Sequence, residues 1–206
     1  MSEAQPIIEH EPSVGTMSKH GFNGQTIAIV AHSHHYGEIE HEGANFTKRA
    51  IEEVKLDKRH KALVAIQKYF GASDDPEFWE KVIFFNFLPS CVGQSDEKYG
   101  KGTVAQIERG QERFKRILFE YAVDKVLVFT AKGWSDCPQT IEEMATDSVP
   151  IPLSAEFPHF SYGTYSRDGH IVTAYGLRHP QFATSEEMER AVRYIMSLPT
   201  ANSASQ

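Results

Sequence analysis

The chain has 206 residues, enough for one domain of ordinary size plus tails. Its 21 Lys and Arg against 28 Asp and Glu give a formal charge of -7, which excludes a broadly basic nucleic-acid coat and leaves room only for a local basic rim. A 40% hydrophobic and 24% charged composition excludes a disordered chain.

No run approaches the roughly 20 apolar residues that span a bilayer, so no membrane partner is expected. The opening MSEAQPIIEHEP lacks the charged-then-apolar order of a signal peptide, which points to a cytoplasmic chain. Cys91 and Cys137 are too few for a four-thiolate zinc or iron–sulfur site, and a reducing compartment leaves both as thiols.

In chain order, residues 1–24 are polar, carry Gly15, Gly21 and Gly24, and read as a flexible N-terminal arm. A single domain is expected over 25–199, and 200–206 is a small-residue, disordered tail. Thr26 to Ala31 (TIAIVA) is a short apolar strand. Phe46 to Leu56 and His60 to Phe70 have helical periodicity. Val82 to Leu88 (VIFFNFL) is almost continuously apolar, as a strand covered on both faces must be.

Thr103 to Tyr121 repeats apolar residues at Ile107, Phe114, Ile117, Leu118 and Tyr121, one face of a helix. Val126 to Thr130 (VLVFT) and Ile171 to Leu177 are further strands, and Tyr162 to Gly176 reads as an antiparallel hairpin about an Arg-Asp-Gly turn. Thr184 with Glu187 three residues on is a capping box opening a helix to Leu198. The alternation predicts an α/β fold, a three-layer α/β/α sandwich. Its centre is a mostly parallel four-stranded sheet, with the hairpin as a further antiparallel strand.

In such sheets ligands bind beyond the carboxyl ends of the strands. The first strand is followed there by His32-Ser33-His34-His35-Tyr36-Gly37-Glu38, the second holds the polar Asn86, and the last leads into Arg178-His179-Pro180-Gln181. Singly, each is equally a solvated turn, a satisfied buried amide or an ordinary His-Pro; jointly they read as one polar pocket.

On these residues the chain resembles the uracil-DNA glycosylase superfamily, in order along most of 26–198 and closest to a branch with a Ser-His-Tyr-containing first loop. His32 to Glu38 is similar to the water-activating loop, and Gly43 to Ala50 to the Gly-x-x-Phe stretch. Asn86 matches the base-reading Asn, and His179-Pro180-Gln181 the His-Pro-Ser motif. Val126 to Lys132 falls on the third strand and a glycine-containing turn. His32 stands where the family carries Asp, Glu or Asn, and Gln181 stands for the Ser.

The resemblance implies a DNA glycosylase that flips a damaged or modified base and cleaves its N-glycosidic bond, in repair or in defence against foreign DNA. It needs neither cofactor nor metal, and a monomer is expected. His32, His34, Glu38 and His179 are the catalytic candidates, and which of the first three orients the water is open. Tyr36, Phe46 and Asn86 would bind the base, and Lys48, Arg49, Lys132 and Arg178 the DNA phosphates. Phe182 is a wedge candidate, although a staple onto the next helix is the commoner use of such a residue.

Two other readings compete. His32 and His34, with His35, Glu38 and His41, could supply a zinc hydrolase. A silent DNA-binding relative would keep the pocket and lack the base.

Overall fold

A computed structural model of the chain describes residues 9–34, 43–57, 60–92, 102–138 and 161–201. One sheet contains β1 (Ser13–Val14), β2 (Ile27–Ala31), β3 (Ile83–Asn86), β4 (Lys125–Val128), β5 (Ser161–Arg167) and β6 (His170–Gly176), in the spatial order β1-β3-β2-β4-β6-β5. The inner strands β3, β2, β4 and β6 run parallel, while β1 and β5 are antiparallel edges. The helices are α1 (Phe46–Asp57), α2 (Lys61–Tyr69), α3 (Val104–Glu120), α4 (Ala131–Asp136) and α5 (Ser185–Ser197). None among the described residues is long and apolar enough to cross a membrane.

Strand alternation sorts the core into two. Ile27, Ile29, Phe84, Leu127, Phe129 and Tyr175 face α1, α2 and α5. Ala28, Val30, Phe85, Val126, Val128 and Ala174 face Phe114, Ile117 and Leu118 of α3. With both faces covered, every residue of β3 and β4 is buried, which is why those strands are continuously apolar in sequence. The exceptions are Asn86, which ends β3, and Lys125. Its ammonium is fully buried and donates to the carbonyls of Ile195 (2.9 Å) and Leu198 at the end of α5, and burial lowers its pKa to about 8.

Local chemistry sets the ends. Thr103 and Gln106 form a reciprocal capping box at α3, and Thr184 and Glu187 form another at α5. In the β5–β6 hairpin, Asp168 (φ 51°) and Gly169 (φ 80°) both adopt the left-handed conformation that a two-residue turn demands.

Two edge strands flank the expected parallel four. One is the hairpin strand β5, which the sequence also predicts. The other, β1, comes from the segment read as a loose arm. Ser13 and Val14 pair with Phe84 and Ile83, and the Gly15 amide donates to Val82 O (3.1 Å). A Cβ at Gly15 would lie 2.3 Å from the Glu80 carbonyl oxygen, so only glycine passes there. Glu80 also accepts from Lys55 and from the Thr16 amide and hydroxyl, which together draw its carboxyl down to about 2. Beyond β4 the expected glycine turn is instead the short helix α4.

Arg113 of α3 ties arm, sheet and helix together. Its guanidinium is buried, donates to Asn86 O at the end of β3 and to His10 O in the arm, and lies 5.2 Å over the Phe85 ring. Glu9 pairs with its Nε at 3.5 Å. Burial lowers its pKa to about 10, still charged at neutral pH. Arg113→Ala leaves two buried carbonyls without their donor and should cost about 3 kcal/mol of unfolding free energy in urea, since hydrogen bonds to charged groups contribute about 1.5–3 kcal/mol each.

Candidate functional site

From β2 the chain crosses to β3 on one side, then returns past β2 to β4 on the other. That reversal falls between β2 and β4, and in open parallel sheets the carboxyl ends of such a strand pair are where ligands bind. The backbone leaving β2 stays laced to the segment leaving β3: Phe87 N donates to Ala31 O (2.8 Å), Leu88 N to His32 O (2.9 Å) and Val92 N to His34 O (3.0 Å).

The chain bends as it leaves β2, and His32 and His34, two residues apart, reach different partners. His32 turns to α4, with Nε2 3.2 Å from Asp136 Oδ2, and both side chains are largely buried. Lys132, one turn earlier on α4, donates to both Asp136 oxygens at 2.8 Å. His34 turns to α1, where its Nε2 is 3.3 Å from Thr47 Oγ1 and its ring centroid 4.7 Å from that of Phe46.

Asn86 ends β3. Alternation places its side chain with Phe84 on the α1 face. It is 2% exposed, and its amide Nδ2 has no acceptor among the described residues. An amide left so costs about 1–3 kcal/mol, an uncommon expense in a folded core unless something is to be bound. Nearby, half-buried Phe46 carries His10 of the arm stacked on it (5.1 Å, 13°) and the Arg49 guanidinium 5.6 Å from its centroid.

His179, beyond β6, caps the single turn Pro180–Phe182, which packs against α2 on the same face of the sheet. Its Nδ1 accepts from the Gln181 amide at 3.1 Å, so in the neutral ring the proton sits on Nε2. Burial lowers its pKa below the ordinary histidine value. The result is a neutral imidazole with an Nε2–H to donate. Phe182, 5.9 Å from that ring, is 62% exposed and therefore does not act as a buried staple.

Three of the four cations assigned to phosphates already have protein partners: Lys48 with Glu11, Lys132 with Asp136, and Arg49 with Phe46. For half-buried Arg178 no ion pair is recorded among the described residues. Tyr36, Glu38, His35 and His41 lie outside the described residues. Within them no group of three or more His, Cys, Asp and Glu could hold a metal, and His32 and His34 turn to separate partners. Cys91 and Cys137 are buried free thiols, and burial foremost, then the Asp136 charge, pushes the Cys137 thiol up.

Sequence reasoning missed Asp136 and His10. Neither sits in a motif; each matters only through a neighbour distant in the chain.

No protein-family model and no curated protein sequence matches the chain. Among solved structures it is similar to a crystal structure of a domain of unknown function (DUF1537) from Bordetella bronchiseptica, a domain-swapped dimer with bound citrate. The TM-score is 0.40 and the identity 13%, over 82% of this chain and 41% of that one, so the chain spans under half of that structure's length.

The burial of His179 sets a sign for acid pH. A histidine depressed in the folded state contributes stability that is intact above its unfolded value, about 6.5, and is lost as pH falls through the folded value. Nitrogen-detected NMR should find the Nε2–H form at neutral pH and a His179 titration midpoint below 6.5.

Proposed function

We propose that this protein is a DNA glycosylase-like hydrolase of the uracil-DNA glycosylase superfamily, holding an extrahelical damaged or modified base and cleaving its N-glycosidic bond. The observation that carries the reading is Asn86: a buried side-chain amide without an acceptor among the described residues, at the carboxyl edge of the parallel strands. Such an amide reads a planar base edge, with Nδ2 donating to a ring carbonyl.

The other parts fit the same chemistry. Phe46 and His34 form an aromatic wall beside α1. Breaking the bond leaves an oxocarbenium-like sugar and puts negative charge on the departing base. The neutral His179, with its proton on Nε2, donates to that charge without first having to be protonated. Water reaches the anomeric carbon from the loop after β2. Phe182 is exposed enough to fill the gap left by an extruded base, and Arg178 is available to a phosphate.

The test is a panel of oligonucleotides carrying uracil, hypoxanthine, xanthine or hypermodified bases, scored for abasic sites under single-turnover conditions. His179→Ala should lower the rate about 10²–10³-fold with little change in DNA affinity, because its donor works on charge that develops only in the transition state. Asn86→Ala should weaken affinity and base selectivity as well as rate. DNA binding without abasic sites on any substrate would assign the pocket to the silent, binding-only reading.

A further inference from the structure

We infer that the N-terminal arm restrains its own site: the His10 ring occupies the face of Phe46 that an extrahelical base would take, and base capture requires that ring to swing out, a step that rests on the base-excision reading above.

Strand register brings His10 to this corner of the fold. β1 runs antiparallel to β3, with Ser13 opposite Phe84, so the residues before Ser13 draw level with the end of β3. There the His10 amide donates to Pro89 O at 2.7 Å, and Arg113 bonds the His10 and Asn86 carbonyls with one guanidinium. Helix α1, which begins at Phe46, packs against both β1 and β3. His10, Asn86 and Phe46 therefore meet at one place.

That place is closed. The His10 ring is 1% exposed and lies 13° from parallel to Phe46, with 5.1 Å between centroids. A nucleobase stacks on an aromatic ring in the same geometry, so imidazole and base exclude each other. Arg49, exposed and 5.6 Å from the Phe46 centroid, and His34, tilted at 4.7 Å, stand around the rest of the ring. Asn86 Nδ2 is buried as well, so no base edge reaches it until a covering group moves.

The movable part is the side chain. The arm is held on both sides of His10: Glu9 pairs with Arg109 at 3.2 Å and with Arg116, while Glu11 N donates to Ala44 O at 2.7 Å and its carboxylate pairs with Lys48. Rotation about χ1 carries the imidazole off Phe46, whereas lifting the arm would strip Arg113 of the His10 carbonyl. A site open for only a fraction of the time binds more weakly by that fraction.

Two measurements on the full chain test this. In the first, NMR follows the His10 ring protons, identified by their NOEs to the Phe46 ring. They should lie upfield in the free protein, under the Phe46 ring current. On saturation with the single-stranded panel oligonucleotide that binds most tightly, they should move to the ordinary histidine position. Signals that stay upfield overturn the inference, and this measurement needs no variant.

The second compares the affinity for each base-bearing panel strand with that for the same strand carrying a tetrahydrofuran abasic analogue, by fluorescence anisotropy. His10→Ala should tighten the base-bearing strand about tenfold, the scale of one lost stacked pair, and leave the abasic strand unchanged. His10→Phe, which keeps a ring on Phe46, should give no such gain. A merely structural His10 would lower thermal stability in the alanine variant without the gain in affinity. With a wild type that prefers the base-bearing strand, that result overturns the inference and leaves the base-excision reading standing. If neither protein distinguishes base-bearing from abasic strands, the base-excision reading fails and the inference with it.

Discussion

A single buried guanidinium organises the candidate site. Arg113 reaches from α3 under the end of β3 and donates to the Asn86 and His10 carbonyls. A charge so deep is costly to desolvate, and its burial lowers its own pKa to about 10. It persists because it meets two backbone carbonyls, the Glu9 carboxylate and the Phe85 face together. Fixing the Asn86 carbonyl fixes the strand end from which the Asn86 amide projects. Fixing the His10 carbonyl lays the arm along β3, with the His10 ring on Phe46. Gly110, one turn before Arg113 on α3, allows this approach, since a Cβ there would lie 2.8 Å from the Phe87 carbonyl oxygen.

From that anchored edge, the parallel sheet distributes polar groups by geometry. Successive strands lie about 4.8 Å apart, and their carboxyl ends share one rim. β3 contributes a buried amide, the bend after β2 two imidazoles that reach different helices, β4 the helix that carries Asp136, and the segment after β6 a half-buried histidine. Each group is tuned by what lies next to it. His179 takes its tautomer from the Gln181 amide and its neutrality from burial, and His32 takes its orientation from Asp136.

The short helix α4 is the least predictable of the helices. Six residues cannot make a stable helix alone. It is held from outside by Trp134 lying over Gly176 and by Gln111 from α3. Those contacts deliver a carboxylate to His32 from about a hundred residues away along the chain.

The sequence by itself determined the layers. Period-two and period-3.6 apolar patterns, capping residues and an Asp-Gly turn act over a few residues, so the four parallel strands, α1, α2, α3, α5 and the hairpin were legible within a residue or two of their ends. The candidate residues His32, His34, Asn86 and His179 were legible because each stands within or just beyond an apolar run, where a strand must stop. Only the tertiary structure decided the rest. β1 has two residues and no pattern of its own, and it is a strand only because Ser13 and Val14 find Phe84 and Ile83. The fold also decided that Lys48, Arg49 and Lys132 are already engaged, that Phe182 is open, and that Asp136 faces His32. These are pairings between residues remote in the chain, and no local pattern encodes a partner that only folding brings near.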